Sequence, residues 1–242
     1  MSTPHLSFQT RASRPKNGIV LFFDLEGFSR FFNQPDVNEY VTKFLNHVYA
    51  AVGTCISGGP AYWDQKNSKD YTSLSIQPIH VKFMGDGALY IWTPTHPGAE
   101  FSSAFISLLL NRLFNLKLWF PSVLEQCAQD VPVIDLPSRI RFGLARGTIF
   151  ELRHQGKNQK EFIGFCLNLA SRLQSYCRSL GFIASARIGM SQEGMKKYGY
   201  KKVIAKKIAG FSPEIVIVDA EEFDRLDDVE RNELFDPLPS RQ

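Results

Sequence analysis

Cysteine is scarce in this chain: there are four in 242 residues, at positions 55, 127, 166 and 177, and no two form a CxxC pair. That spacing indicates neither a zinc site nor a disulfide framework, and four reduced thiols in a cytoplasmic protein are the expectation. An excess of one charge is lacking too. The 28 Lys+Arg against 24 Asp+Glu leave a net charge of +4, which suits an anionic ligand but not the dense basic face of a nucleic-acid binder. Long hydrophobic runs are missing. The opening MSTPHLSFQTRASRPK has no apolar stretch of the signal-peptide kind. The most apolar window, residues 106–120, is interrupted by Asn111, Arg112, Asn115 and Lys117, so it is too short and too polar to cross a bilayer. There is also no internal repeat, and no linker that would argue for a second domain.

What remains is an ordinary globular composition, 44% apolar and 21% charged, with enough chain for one large core. Residues 1–16 read as a loose arm and 17–220 as one domain. Residues 18–23 form an apolar strand that ends at Asp24. Residues 36–56 place Val37, Tyr40, Val41, Phe44, Leu45, Val48 and Val52 at helical spacing. Residues 58–78 are rich in turn formers and read as an insertion or loop. Residues 79–83 and 88–92 flank Met84-Gly85-Asp86-Gly87, a hairpin signature. One long helix is expected over 97–129, and a strand pair over 139–145 and 147–152. A helix over 164–180 and strands at 182–188, 203–209 and 214–218 follow, then a charged tail over 221–242. This order predicts an α+β fold of ferredoxin-like type, an antiparallel-rich sheet with helices on one face.

Two carboxylates stand out in that layout. Asp24 ends a strand before the Gly27-Phe28-Ser29 turn, and Asp86 sits in a hairpin. Magnesium and manganese favour carboxylate and phosphate oxygens and take few protein ligands, and a two-metal site needs two carboxylates on rigid neighbouring elements. The strand-to-helix turn at Gly27, Phe28 and Ser29 offers backbone N–H groups to a phosphate. Further on, Asn168 and Arg172 are spaced i, i+4, which puts them on one helix face. In that order, these pieces suggest phosphoryl transfer on a nucleotide.

The ordered set Phe23-Asp24-Leu25-Glu26-Gly27-Phe28-Ser29, Lys82-Phe83-Met84-Gly85-Asp86, Arg139-Ile140-Arg141-Phe142-Gly143-Leu144-Ala145-Arg146-Gly147 and Gly164-Phe165-Cys166-Leu167-Asn168-Leu169-Ala170-Ser171-Arg172-Leu173 resembles the motifs of class III nucleotidyl cyclases over about residues 18–220. As a stand-alone domain with a long insertion between its aspartates, the chain is most similar to the pyrimidine cyclases of the bacterial Pycsar anti-phage system. The resemblance implies that Asp24, Asp86 and the Leu25 carbonyl bind two Mg2+ or Mn2+ ions. It implies that Asn168 positions the ribose and that Arg172 neutralises charge on the α-phosphate. In the family the Asn and Arg come from the partner subunit, so one chain carrying all four residues implies a head-to-tail homodimer with shared sites. The expected product is a cyclic nucleotide that acts through a separate cyclic-nucleotide-binding effector.

The base is less determined. Lys82 and Glu161 fall on the family's base-reading positions, and a Lys donor with a carboxylate acceptor suits adenine, uracil or cytosine. Tyr49 falls near a pocket-lining position, where its hydroxyl would favour a smaller ring; it reads equally as a core tyrosine. Uridine triphosphate is the expectation on the resemblance alone, with cytidylate or adenylate cyclase and an inactive nucleotide-binding module as alternatives. Two positions depart from the family pattern: Thr148 and Ala209 stand where it carries phosphate-binding Arg and Lys. Arg146, with Lys206 or Lys207, would have to take over.

Overall fold

The computed structural model describes residues 7–10, 13–64, 70–96, 98–155 and 160–239. Strand β1 (Lys16–Glu26) is followed by the short helix α1 (Phe28–Phe32) and by α2 (Val37–Ser57), then by the two-residue strands β2 (Gly59–Pro60) and β3 (Asp70–Tyr71). The hairpin β4 (His80–Phe83) and β5 (Gly87–Trp92) leads to helices α3 (Ser103–Leu118) and α4 (Phe120–Asp130). The long strand β6 (Arg139–Arg153) turns back into β7 (Lys160–Ile163), and α5 (Phe165–Gln174) and β8 (Phe182–Ser185) follow. After α6 (Gln192–Tyr198) come β9 (Tyr200–Ala205), β10 (Glu214–Asp219), α7 (Ala220–Asp224), α8 (Asp228–Leu234) and β11 (Phe235–Asp236).

The main sheet runs β11-β9-β10-β8-β6-β1-β5-β4, with β7 attached to β6. Among the described residues only the β6–β8 contact is parallel. β1 is central, antiparallel to β5 on one side and to β6 along its whole length on the other. Alternation along a strand sends successive side chains to opposite faces. Ile19, Leu21, Phe23 and Leu25 therefore enter a core shared with Phe44 and Val48 of α2 and Leu109 and Leu113 of α3. Val20 enters a second core with Leu169 and Leu173 of α5 and Val216 and Val218 of β10. Helices thus cover both faces, which corrects the one-face expectation. The short apolar positions of α5 gave no hint in sequence of which face they would seek.

Several boundaries moved for identifiable reasons. The single helix expected over 97–129 is two helices meeting at Trp119, with Pro121 in the first turn of α4; proline lacks the N–H that a continuing helix would need there. Pro97 lies outside the described residues. The strand pair expected to break at Gly147 is one continuous strand, because Gly147 lies under Cys166 of α5 and is not a turn. The insertion remains largely irregular, and its residues 65–69 lie outside the described set. It is fastened by buried Arg112, which donates to the carbonyls of Cys55 at 3.2 Å and Thr72 at 2.6 Å. These acceptors satisfy a charge that would otherwise be costly to bury.

Two described segments towards the ends, residues 7–10 and 221–236, contact the domain more than the sequence suggests. Gln9 N donates to the Arg153 carbonyl at 2.9 Å, and Phe8 bridges to His154. Residues 221–236, read as a charged tail, fold back instead. Phe223, Leu226 and Phe235 are buried in the second core, and β11 extends the sheet at β9. Lys206 and Lys207 bind this segment, to Asp236 at 3.0 Å and Glu233 at 3.1 Å.

α5 reaches the sheet because β6 offers it small residues. A Cβ at Gly143 would lie 2.1 Å from the Ala170 carbonyl oxygen and 2.3 Å from Gln174 N. Gly143→Ala is therefore expected to push α5 off the sheet and to cost about 1–3 kcal/mol, the usual penalty of overpacking. Urea unfolding checks this; an unchanged midpoint would mean that α5 is not seated as described.

Candidate active site

Asp24 is the ninth residue of β1 and pairs with Gly87 of β5 on one side and Arg141 of β6 on the other. It follows Phe22 and Val20 on the face that α5 covers. Gly87 permits this junction: a Cβ there would lie 1.9 Å from the Phe23 carbonyl oxygen. The β4–β5 turn therefore crosses directly against β1 and brings Asp86 to Asp24. The two carboxyl groups are close enough for each to act on the other's ionisation. Burial first, and then the charge of Asp24 and the hydrogen bond to it, raise the Asp86 pKa above the usual carboxylate range. Two acids held this close repel each other when both are ionised, and a cation between them would remove that penalty.

Two further side chains hold Asp24. Arg141 donates from Nη2 to Asp24 Oδ2, and Gln174 Nε2 donates to the same oxygen at 3.1 Å. Neither had a role in the sequence reading. The alternation Arg139-Ile140-Arg141 shows which residues share a face, but only the β1–β6 register shows that Arg141 faces Asp24.

The donor set fits divalent cations. Among the described residues no group of three or more His, Cys, Asp and Glu side chains is placed to hold a metal. Asp24 and Asp86 offer two neighbouring side-chain carboxylates, and water would have to complete a shell around any cation they held. That sparse protein shell is typical of magnesium and manganese.

Gly27 takes a left-handed φ of 93° at the start of α1, a bend open to glycine without strain. It turns the chain so that Phe28 and Ser29, with Phe32, Val41, Leu45 and Phe83, line a cleft of about 540 Å³ that reaches Gly85 and Asp86. Tyr49 stands behind the hairpin, its ring against Phe23 and Phe83. Its hydroxyl donates to the Gly87 carbonyl at 2.8 Å. Burial, the main cause, pushes its pKa up. That proton is spent on the backbone of the β4–β5 hairpin, so in this structure Tyr49 is a brace for the turn.

The remaining predicted residues fall into separate groups. Lys82 and Glu161 meet: Lys82 Nζ lies 2.8 Å from both Glu161 carboxylate oxygens. Hydrogen bonding from Lys82 lowers the Glu161 pKa. Lys82 shares a register with Leu89, which points to the α5 side of the sheet. Asn168 and Arg172 are exposed on α5. Among the described residues their side chains have no hydrogen-bond or ion-pair partner, and in one chain they do not meet Asp24 or Asp86. Arg146 does not join the carboxylates either. It pairs with Ile19, five residues along β1 from Asp24, roughly 17 Å at about 3.4 Å per residue. It binds Asn17 at 3.1 Å and Glu100, and lies over the Phe101 ring. Lys206 and Lys207 are likewise occupied by the C-terminal segment.

This sheet, with helices on both faces and an acid-bearing hairpin against its central strand, has the fold of class III nucleotidyl cyclase catalytic domains. Three solved structures illustrate the similarity. The adenylyl cyclase CyaB from P. aeruginosa superposes with a TM-score of 0.59 at 17% identity, covering 86% of this chain and 96% of that one. The guanylyl cyclase Cya2 gives 0.56 at 16% identity, with 86% and 93% covered. An adenylate cyclase from Trypanosoma brucei in its monomeric state gives 0.52 at 14% identity, with 85% and 90% covered. No protein-family profile and no curated protein sequence matches the chain. No helix among the described residues is long and apolar enough to cross a membrane.

Because Tyr49 closes a hydrogen bond on the Gly87 carbonyl, Tyr49→Phe is expected to lower stability by about 1 kcal/mol and to speed amide exchange in β4 and β5. Hydrogen exchange checks this; unchanged protection would free the hydroxyl for a different task.

Proposed function

We propose that this protein is a nucleotidyl cyclase that converts a nucleoside triphosphate to its 3′,5′-cyclic monophosphate and pyrophosphate. The observation that carries the reading is the Asp24–Asp86 carboxyl pair, built by the β4–β5 turn against β1. In the reaction the ribose 3′ oxygen displaces pyrophosphate from the α-phosphorus. Two divalent cations held by Asp24, Asp86 and the Leu25 carbonyl would supply the Lewis acidity that lowers the pKa of the 3′ hydroxyl and balances the triphosphate charge.

The chain's own residues do the rest. Asp24 is fixed on a strand paired on both sides and Asp86 in the short β4–β5 turn against it, so little reorganisation is needed as charge develops. The first turn of α1 lies beside them, at the cleft. Asn168 and Arg172, exposed and unpartnered on their helix, are free to serve a second copy, Asn168 orienting the ribose and Arg172 neutralising the α-phosphate. This supports a homodimer in which each site draws its carboxylates from one chain and its Asn and Arg from the other.

For the base we favour uracil, and hence cyclic UMP as a signal in anti-phage defence read by a cyclic-nucleotide-binding effector. The support is the motif resemblance to pyrimidine cyclases together with the Lys82–Glu161 contact, which presents a donor and an acceptor side by side. Uracil has carbonyls to accept from Lys82 and an N3–H to donate to Glu161. The pair must part to admit it. A purine substrate is the second reading, because the solved structures of similar fold are titled adenylyl and guanylyl cyclases.

The test is a product assay of the purified chain with manganese or magnesium and each of ATP, GTP, CTP and UTP separately, with Asp86→Ala as the inactive control. Cyclic UMP from UTP alone is the expected result. Cyclic AMP or cyclic GMP would support the purine reading, and equal turnover by Asp86→Ala would remove the carboxylates from the mechanism. The shared-site arrangement predicts complementation. Asp24→Ala and Arg172→Ala chains, each inactive alone, should regain up to about a quarter of wild-type activity when mixed, since half the dimers would be mixed and each would carry one intact site. Absence of rescue after confirmed chain exchange would show that each chain works by itself.

A further inference from the structure

Resting on the cation-site reading above, we infer that Arg141 is the resident counter-ion of the Asp24 carboxylate, so that divalent-cation binding here is an exchange of one positive charge for another. Arg141 faces Asp24 across the β1–β6 pair and donates to its Oδ2. Both side chains are largely buried, at 14% and 21% exposure. Arg141 is close enough that its charge also acts on Asp86, where it opposes the upward pKa shift.

The contact has the form of an exchangeable pair. A structural arginine–carboxylate pair is typically bidentate, with two parallel N–H···O bonds. Among the described residues Nη2 alone reaches the acid, through one oxygen, and buried Arg141 Nε has no acceptor. That oxygen is shared with Gln174 Nε2 at 3.1 Å. Asp24 is thus held by two donors on one oxygen, while Asp86 lines the cleft. A divalent cation must compete with the guanidinium for the acid and enter a field made less negative by it.

The sign of the effect separates this role from a merely structural one. Removing a structural contact would loosen Asp24 and weaken cation binding. Removing a competing positive charge strengthens it. Arg141 is a positioning residue that holds Asp24 in place when no cation is bound and sets the cation concentration at which the site fills.

The experiment is manganese(II) titration of the full chain without nucleotide, with free manganese read by electron paramagnetic resonance, on wild type, Arg141→Gln, Gln174→Ala and Asp86→Ala. Arg141→Gln is expected to bind manganese roughly tenfold more tightly, since a unit charge is removed from a few ångströms away in a partly buried setting. Gln174→Ala, which removes a neutral contact from the same oxygen and no charge, should not tighten binding, and Asp86→Ala should abolish it. Unchanged or weaker binding by folded Arg141→Gln, with Asp86→Ala still abolishing it, overturns the exchange and leaves the carboxylate site standing. Manganese binding that Asp86→Ala does not alter, or no saturable binding by wild type, overturns the site and the exchange together. If Arg141→Gln does not fold, Arg141→Met, which removes the same charge and keeps an unbranched stem, decides: tighter binding supports the inference, and unchanged or weaker binding overturns it.

Discussion

Strand β1 is hydrogen-bonded on both sides, over eleven residues to β6 and six to β5, and both of its faces are covered. Its register is therefore set twice over. A slip of one residue would exchange the two faces, turning Phe23 out of the first core and Asp24 into it. Burying an unpaired carboxylate among Phe44, Tyr90 and Phe142 would cost far more than the sheet gains from any single pairing. The apolar residues flanking Asp24 thus fix where the acid can be. Asp86, Arg141 and Gln174 reach it only because β5, β6 and α5 are docked on that same strand.

α5 has two outlooks. Its inner side rests on Gly143, Ala145 and Gly147 of β6, and its last residue touches the Asp24 carboxylate. Its outer side presents Asn168 and Arg172 to solvent. One ten-residue helix therefore braces the acid of its own chain while offering two polar side chains to whatever approaches from outside. Glycine at 143 is what makes this possible, since any side chain there would displace the helix backbone. The constraint on β6 is thus steric, and its effect is felt at the acid.

Much of this was legible in the sequence, for physical reasons that differ by element. The apolar run before Asp24, the helical spacing of α2 and the Gly-Asp-Gly hairpin are local patterns, and each became the expected element. The meeting of Asp24 with Asp86 followed from adjacent strands. What was not legible depended on register or on packing at a distance. Arg141 looked like one basic residue among four in its strand until the β1–β6 pairing aligned it with Asp24. Arg146, five residues further on, looked equally suited to phosphate and lies midway along β6, on Glu100. Gly147 looked like a turn because a glycine that accommodates a helix and one that reverses a chain are the same letter. The C-terminal segment looked like a charged tail because its few apolar residues, Phe223, Leu226 and Phe235, become informative only once the second core is there to receive them.

The four thiols fall two and two on the opposite sides of the sheet. Cys55 and Cys127 lie in the core under α2 and α4, and Cys166 and Cys177 in the core under α5. All are buried and free. Burial pushes Cys127 up to about 12 and Cys166 and Cys177 to about 11, so scarcely any thiolate is present near neutral pH. Since only the thiolate is nucleophilic, a thiol reagent reports the opening of the fold and little else. The molecule carries its own pair of chemical clocks, one on each side of β1, and the order in which they run tells whether the two halves of the domain come apart together or in turn.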